Sequence, residues 1–513
     1  MGAEGIVSPM AMPVKISGIG RSAECYEKEV IRTGGSTPWV ARGIALAASL
    51  ALPACSDERV SPAPAGPAAW GPGVALPSAR DAAPRGMIDL RGLIHAHSVY
   101  SHDACDGEPW NEATGAIDEA CLGDFRRDVC RVAHDFVMLT DHGDRFSWTE
   151  FPDVLLHRPE LGDTLVERAA EPVANWLRCE NGVSPDAAPG EVLVLAGNES
   201  AMMPVGLEGH VAETEEGRDA IYGNVDPTNV AALQAQGAVV LAQHTEDWSP
   251  EELVALGFDG FEMYNLHANT IAGAGGVIEL ISLLAQGEDV PASERPHPDL
   301  VFLNIVNEDD RYLSRWGEVL AGGHRLVTTI GTDCHRNTFP QLLDDGERID
   351  SYRRMMSWMS NHLLVRPEAD GGWDDRHLKE ALAARRLYGA FEVMGFPLGF
   401  DFHATSSAGI TEMGGTVAVD GETRLTATMP TIRGLDPIAE PPRKRLVLYR
   451  AVAGGWEPIA ESEGDLDHPV SLSGAYRVEV RLEPRHLRGV LGTFSDLAER
   501  SFVWIYSNAI FVE

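Results

Sequence analysis

Lysine is nearly missing from this chain. Among 513 residues the only ammonium side chains are Lys15, Lys28, Lys379 and Lys444, so arginine carries the positive charge. The long central stretch without lysine excludes Schiff-base chemistry there, and it excludes a metal bridge built on a carbamylated lysine. No Cys-x-x-Cys occurs, which leaves a zinc ribbon without support. Gly-x-Ser-x-Gly, P-loop and dinucleotide-binding glycine motifs are also missing, as are repeats of solenoid type. Positive charge is scarce overall: 41 Lys and Arg stand against 77 Asp and Glu, a net charge of -36. Such a surface repels phosphate polymers, so non-specific nucleic-acid binding is excluded, although charge says nothing about fold. What remains is a chain longer than one typical domain, with 44% hydrophobic residues to build a large core.

The N-terminal region reads as a leader. An apolar run over 43–52 follows Arg42 and ends in Leu52-Pro53-Ala54-Cys55, which together read as a secretory signal with a lipobox-like end. The run is too short to span a bilayer. Residues 1–55 are therefore expected to direct export to the periplasm or cell surface, with lipid anchoring at Cys55 as the only membrane contact and the outer membrane preferred. Residues 56–86 are rich in Pro, Ala and Gly and read as a tether. Cys105, Cys121, Cys130 and Cys179 fall close together and suit one or two disulfides in an oxidising compartment. Three pairings of the four are open, and Cys334 stands apart.

From Met87 to about Phe400, short apolar runs at 136–139, 192–196, 238–242, 260–264, 301–306 and 326–330 alternate with helical stretches. Helices are expected over 160–177, 228–236, 250–256, 311–321 and 375–386. This alternation implies an α/β fold with a parallel sheet, open or closed into a barrel. Beyond about Phe400 the texture changes. Tyr476, Val478, Val480 and Leu482 alternate with Arg477, Glu479 and Arg481, the period of a half-buried strand. With 423–429, 445–450 and 502–506 they predict a small antiparallel β-sandwich of roughly one hundred residues.

The candidate chemistry lies where the apolar runs end. An apolar run over 87–94 leads into His95-Ala96-His97, and residues i and i+2 of a strand point the same way. Four of the other runs end in Thr140-Asp141-His142, Gly197-Asn198-Glu199, Gln243-His244 and Gly331-Thr332-Asp333-Cys334-His335. Imidazoles with carboxylates form a ligand set for a borderline divalent metal. Asp103 is preferred over Asp106 as the first carboxylate, and Asp141 is expected to orient the His142 ring from behind. Cys334 should point away from the metals. His102, His134, His157, His267, His297, His324, His362, His377 and His403 are set aside as surface or core histidines, with the weakest ground for His267, which closely follows Glu262 and Asn265.

In the order and type of these motifs, from His95-Ala-His97-Ser and Ser101-His-Asp103 through Gly209-His210 to Gly331-Thr-Asp333-Cys-His335, the chain resembles the polymerase and histidinol phosphatase (PHP) superfamily. The resemblance implies a distorted (β/α)7 PHP barrel over 87–405, followed by a small antiparallel β-sandwich domain over 406–513. It implies two to three divalent ions (Zn, Mn or Fe) held by His95, His97, Asp103, His142, Glu199, His210, His244, Asp333 and His335. Glu262-Met-Tyr-Asn265 is similar to a strand-end motif of the family, 378–382 to its closing helix, and the C-terminal strands to the carbaryl-hydrolase-like branch. The implied activity is metal-dependent hydrolysis of a small molecule by metal-activated hydroxide, with Asp333, His335 and Glu199 at its centre. Phosphoesters come first among substrates and carbamates or esters second; a non-catalytic surface-tethered binding protein is the remaining alternative. Arg145 and Arg336 stand just beyond metal ligands, and at least one of them is expected to clamp phosphate, the other reading of each being a salt bridge to the acidic surface. Nothing in the sequence bears on oligomeric state.

Overall fold

The computed structural model describes residues 69–80, 83–179, 190–243, 248–272, 290–291, 294–308 and 310–513. The leader, most of the tether and His244 lie outside the described residues. Among the described residues no helix is long and apolar enough to cross a membrane.

The chain is mixed α/β. One mixed sheet of 18 strands dominates, beside a separate four-stranded antiparallel sheet. The strands that carry the site are β1 (Ile88–Ile94), β2 (Phe136–Met138), β3 (Asp141–His142), β4 (Thr164–Arg168), β5 (Glu171–Arg178), β6 (Glu191–Glu199), β7 (Met203–Leu207), β8 (Val239–Ala242), β9 (Gly260–Asn265) and β10 (Val327–Gly331). β1 pairs in parallel with β2, β2 with β6, β8 with β9, and β9 with β10. β7 runs antiparallel between β6 and β8. β1, β2, β6, β8, β9 and β10 therefore all end at one edge. The two ends of this series meet at one isolated parallel bridge, Ala96 to Cys334, just past β1 and β10. β6 is buried throughout after its first residue, as a strand covered on both faces must be.

On its other side β1 pairs antiparallel with β11 (Ser360–Val365), which pairs with β12 (Leu387–Ala390). β12 then pairs with the strand Phe502–Ser507, so the C-terminal strands continue the large sheet. The expected boundary at 405/406 falls inside the strand Asp401–Ser406, which pairs with Gly409–Glu412 and Arg424–Thr428 in the four-stranded sheet. Buried Phe402 and Ala404 face the same interior as Leu425 and Ala427, which draws this segment to the C-terminal side.

Three expectations are corrected. The helix expected over 160–177 is the hairpin β4–β5. Ala169 and Ala170 turn the chain with φ of 50° and 71°, and the Asp163 carboxylate accepts the backbone N–H groups of Arg158 and Arg178. Helix-favouring alanines sit in a turn here because tertiary pairing overrides propensity. The run 301–306 is no strand: 3-10 turns occupy Pro298–Leu300 and Leu303–Ile305, and buried Asp299 is bound by Arg353 and Arg354. The tether does not run free to residue 86. Trp70 is buried and donates its backbone N–H to Gly434 O at 2.8 Å, Leu76 is buried, and Arg80 pairs with Asp135 at 2.6 Å. An indole and a leucine give this stretch apolar area that a Pro/Ala/Gly composition conceals.

Candidate metal centre

At the edge where the parallel strands end, ligand-type side chains converge in three groups. His95, His97, Glu199 and Asp333 form the first, His97, Asp103 and His142 the second, and His267, Asp333 and His335 the third; within each group the donor atoms lie within 4.8 Å of one another. His97 and Asp333 are shared, so the three groups form one cluster. All four members of the first group are buried. His95 Nε2 lies 3.2 Å from Glu199 Oε2 and 3.2 Å from Asp333 Oδ1, and His97 Nε2 lies 3.2 Å and 3.0 Å from the same oxygens.

The backbone is bent to make this possible. His95 and Asp333 have φ of 85° and 55°, left-handed values for residues that carry a Cβ. Each costs about 1–3 kcal/mol and persists only where the surroundings enforce it, which is typical of functional sites. Gly331 is also required, because a Cβ there would collide with the Glu262 carboxylate.

Behind the donors stands a supporting layer. Glu262 is fully buried and places its carboxylate oxygens 3.0 and 3.1 Å from His95 Nδ1, while Asn265 Nδ2 donates to Glu262 at 2.9 Å. His142 Nδ1 lies 2.8 Å from Glu199 O. A carboxylate or carbonyl on the far nitrogen of a ligating histidine fixes its ring and tautomer.

The electrostatics suit a cation. Burial alone would lower His95 and His97, but Glu262, Glu199 and Asp333 raise His95, and Asp103, Asp333 and Glu199 raise His97, both well above the usual histidine range. Burial opposes ionisation of Asp333 and Asp103, yet the surrounding histidines hold both well below the usual carboxylate range. The cluster is thus a buried set of anionic carboxylates that needs positive charge to balance it. A divalent ion would supply that charge and would compete with protons for the histidine nitrogens.

Eight of the residues expected as ligands lie in the described part of the chain, and seven of them fall in the cluster: His95, His97, Asp103, His142, Glu199, Asp333 and His335. His210 does not. Its Nε2 lies 2.8 Å from Thr149 O and its Nδ1 3.2 Å from Tyr222 Oη, and its ring packs against Phe146 and Phe151. The direction of β7 explains this: Leu207, its last residue, pairs with Ala196, so Glu208 to His210 leave the sheet away from the edge where Glu199 ends. His267, set aside on sequence, is in the cluster, with Nδ1 3.3 Å from Asp333 Oδ2 and 3.4 Å from His335 Nε2. It lies two residues past the end of β9, and its spacing from Glu262 and Asn265 was the available signal.

Asp106 pairs with Arg348, away from the cluster, which leaves the first carboxylate to Asp103. Asp141 does not support His142. It is buried and bonds the backbone nitrogen and hydroxyl of Ser98, and burial, the largest influence, pushes it up to about 6. Cys334 is buried and free. The other four cysteines among the described residues pair as Cys105–Cys121 and Cys130–Cys179. Arg336 is held by Asp124, whereas Arg145 has no carboxylate partner among the described residues: it donates to Gly115 O at 3.3 Å and lies over the Trp110 ring. Comparison with protein-family models, curated proteins and solved structures returns no match.

Proposed function

We propose that this chain is an exported, metal-dependent hydrolase of the polymerase and histidinol phosphatase type. The observation that carries the reading is the convergence of three donor groups, sharing His97 and Asp333, at one sheet edge. The strand series whose ends meet at the Ala96–Cys334 bridge supports a distorted barrel as its scaffold. Two disulfides among the described residues support an oxidising compartment, in line with export and a lipid anchor at Cys55.

The donors fit zinc, manganese or iron better than magnesium, because imidazoles outnumber carboxylates. Two to three such ions would supply Lewis acidity and ready a water for attack near neutral pH. This chain's residues supply the rest. Glu199, whose Oε2 faces both His95 and His97, would hold metal together with them. Glu262 and Asn265 hold the His95 ring. The buried walls limit solvent around the reacting centre. A phosphoester is the preferred substrate, with Arg145 as the cation free to meet its charge. The engagement of Arg336 by Asp124 leaves one of the two candidate arginines for phosphate and is the observation that favours the second reading, a neutral carbamate or ester.

Metal analysis of protein purified without chelator should find at least two ions per chain, and less than one would sink the reading. A panel of phosphomonoesters, phosphodiesters, carbamates and esters then decides the substrate class. Arg145→Ala should raise KM for aryl phosphates by roughly ten- to a hundredfold, the worth of a hydrogen bond to a charged group, and leave neutral esters unchanged. Turnover of neutral substrates alone would favour the second reading.

A further inference from the structure

Ser101 touches three of the donor residues at once. Its Oγ lies 3.0 Å from His97 Nδ1, 2.6 Å from Asp103 Oδ1 and 3.2 Å from the backbone nitrogen of His142. A serine hydroxyl has one proton to give and two lone pairs to offer. An ionised carboxylate only accepts, so the proton goes to Asp103. The His142 amide only donates, so it fills one lone pair. The other lone pair faces His97, whose Nδ1 must therefore carry a hydrogen. The hydroxyl is used to capacity, and Ser101 is fully buried.

This has a consequence for His97, which belongs to two donor groups. With Nδ1 committed to Ser101, its one lone pair is on Nε2, and Nε2 faces Glu199 and Asp333. We propose that Ser101 is a positioning residue that divides the cluster into two metal positions: it commits His97 to the position with His95, Glu199 and Asp333, and presents Asp103 and His142 to a second. The proposal rests on the metal-centre reading above and assigns a residue that holds no metal itself. The turn that carries the hydroxyl is fixed from several sides. Ser101 N donates to Ser98 O at 2.9 Å, Tyr352 Oη donates to Ala104 O at 2.7 Å, and Cys105 is tied to Cys121.

The test compares wild type with Ser101→Ala and Ser101→Cys, the second being nearly the same size and a poor hydrogen-bond partner. Each protein is stripped, reloaded with cobalt(II), and titrated against a chromogenic chelator while its visible spectrum is followed; unfolding midpoints check the fold. The ion at His95, His97, Glu199 and Asp333 should keep its wild-type affinity and absorption bands, because Ser101 touches only one of those four donors. The other should bind roughly ten- to a hundredfold more weakly, the usual cost of removing a residue that supports a ligand. Wild-type affinity for both ions in a folded variant would overturn the proposal, as would loss of both ions in step, the mark of a general loosening. Should Ser101→Ala fail to fold, Ser101→Cys must show the same split. Wild type that takes up no cobalt would overturn the metal centre and this proposal with it.

Discussion

His362 lies in β11, beside β1, and offers a test of the scaffold independent of any metal. Its Nδ1 is 2.8 Å from Asp89 Oδ1 and its Nε2 3.2 Å from Glu392 Oε1. Its ring stacks on Tyr388 with centroids 4.5 Å apart. Burial alone would lower its pKa, but the two carboxylates outweigh burial and raise it to about 9 from 6.5. The folded state then binds a proton that the unfolded chain releases above pH 6.5. The contribution is fully present below pH 6.5 and is lost as pH rises through about 9. At 1.36 kcal/mol per pH unit over that window, the loss comes to about 3 kcal/mol. The perturbation is His362→Gln, which keeps hydrogen-bonding capacity and cannot titrate. Urea-unfolding curves of both proteins at pH 6 and pH 9.5 supply the numbers, and other alkaline titrations cancel in the comparison. Wild type should lose about 3 kcal/mol more than the variant across the interval. Parallel losses in the two proteins would refute the claim that these carboxylates hold His362 protonated.

Three further outcomes are expected. Asp333→Asn, which removes a charge shared by two donor groups, and His97→Ala should each abolish hydrolysis and lower metal content in elemental analysis; undiminished content would argue against the shared position. His267→Ala should weaken metal retention about ten- to a hundredfold by chelator competition, whereas His210→Ala should leave it unchanged and instead lower the unfolding midpoint. Replacing Cys130 and Cys179 together by alanine should cost about 4 kcal/mol of unfolding free energy, because that disulfide closes a loop with a sequence separation of 49; a cost near zero would indicate that the unfolded chain is already compact.

The parts of the fold and the site that were legible in the sequence share one property: they depend on local order along the chain. β1, β6 and β10 are apolar runs followed directly by ligand-type residues, and strand period alone aligns His95 with His97. The hairpin β4–β5 was not legible, because Ala169 and Ala170 carry no turn preference of their own and β5 is held extended by pairing with β6, across residues 179–190. The docking of Trp70 was hidden for a similar reason, its partner Gly434 being far along the chain. The fate of Arg336 was open because Asp124, which captures it, lies on the helix Glu119–Arg131 that no periodic signal had marked.

The two histidines that exchanged roles make the same point at the site. His210 follows Gly209 in a motif that resembles a ligand motif, and His267 follows only a Glu-x-x-Asn segment. What separates them is strand direction. β7 runs against its neighbours, so a residue beyond its end leaves the sheet away from the convergent edge, while a residue beyond the end of β9 arrives there. Direction is set by which strands pair, a long-range property that a motif does not encode. The left-handed backbone at His95 and Asp333 belongs to the same level. Asp and His tolerate it better than most side chains but still pay for it, and it holds because the Ala96–Cys334 bridge and the hydrogen bond from His97 N to Cys334 O at 3.0 Å lock the two strand ends together. If that lock is what brings the donors together, replacing Cys334 by a bulky leucine should lower metal affinity while leaving every donor in the chain. Unchanged affinity in a folded Cys334→Leu protein would mean that the donors find their positions without it.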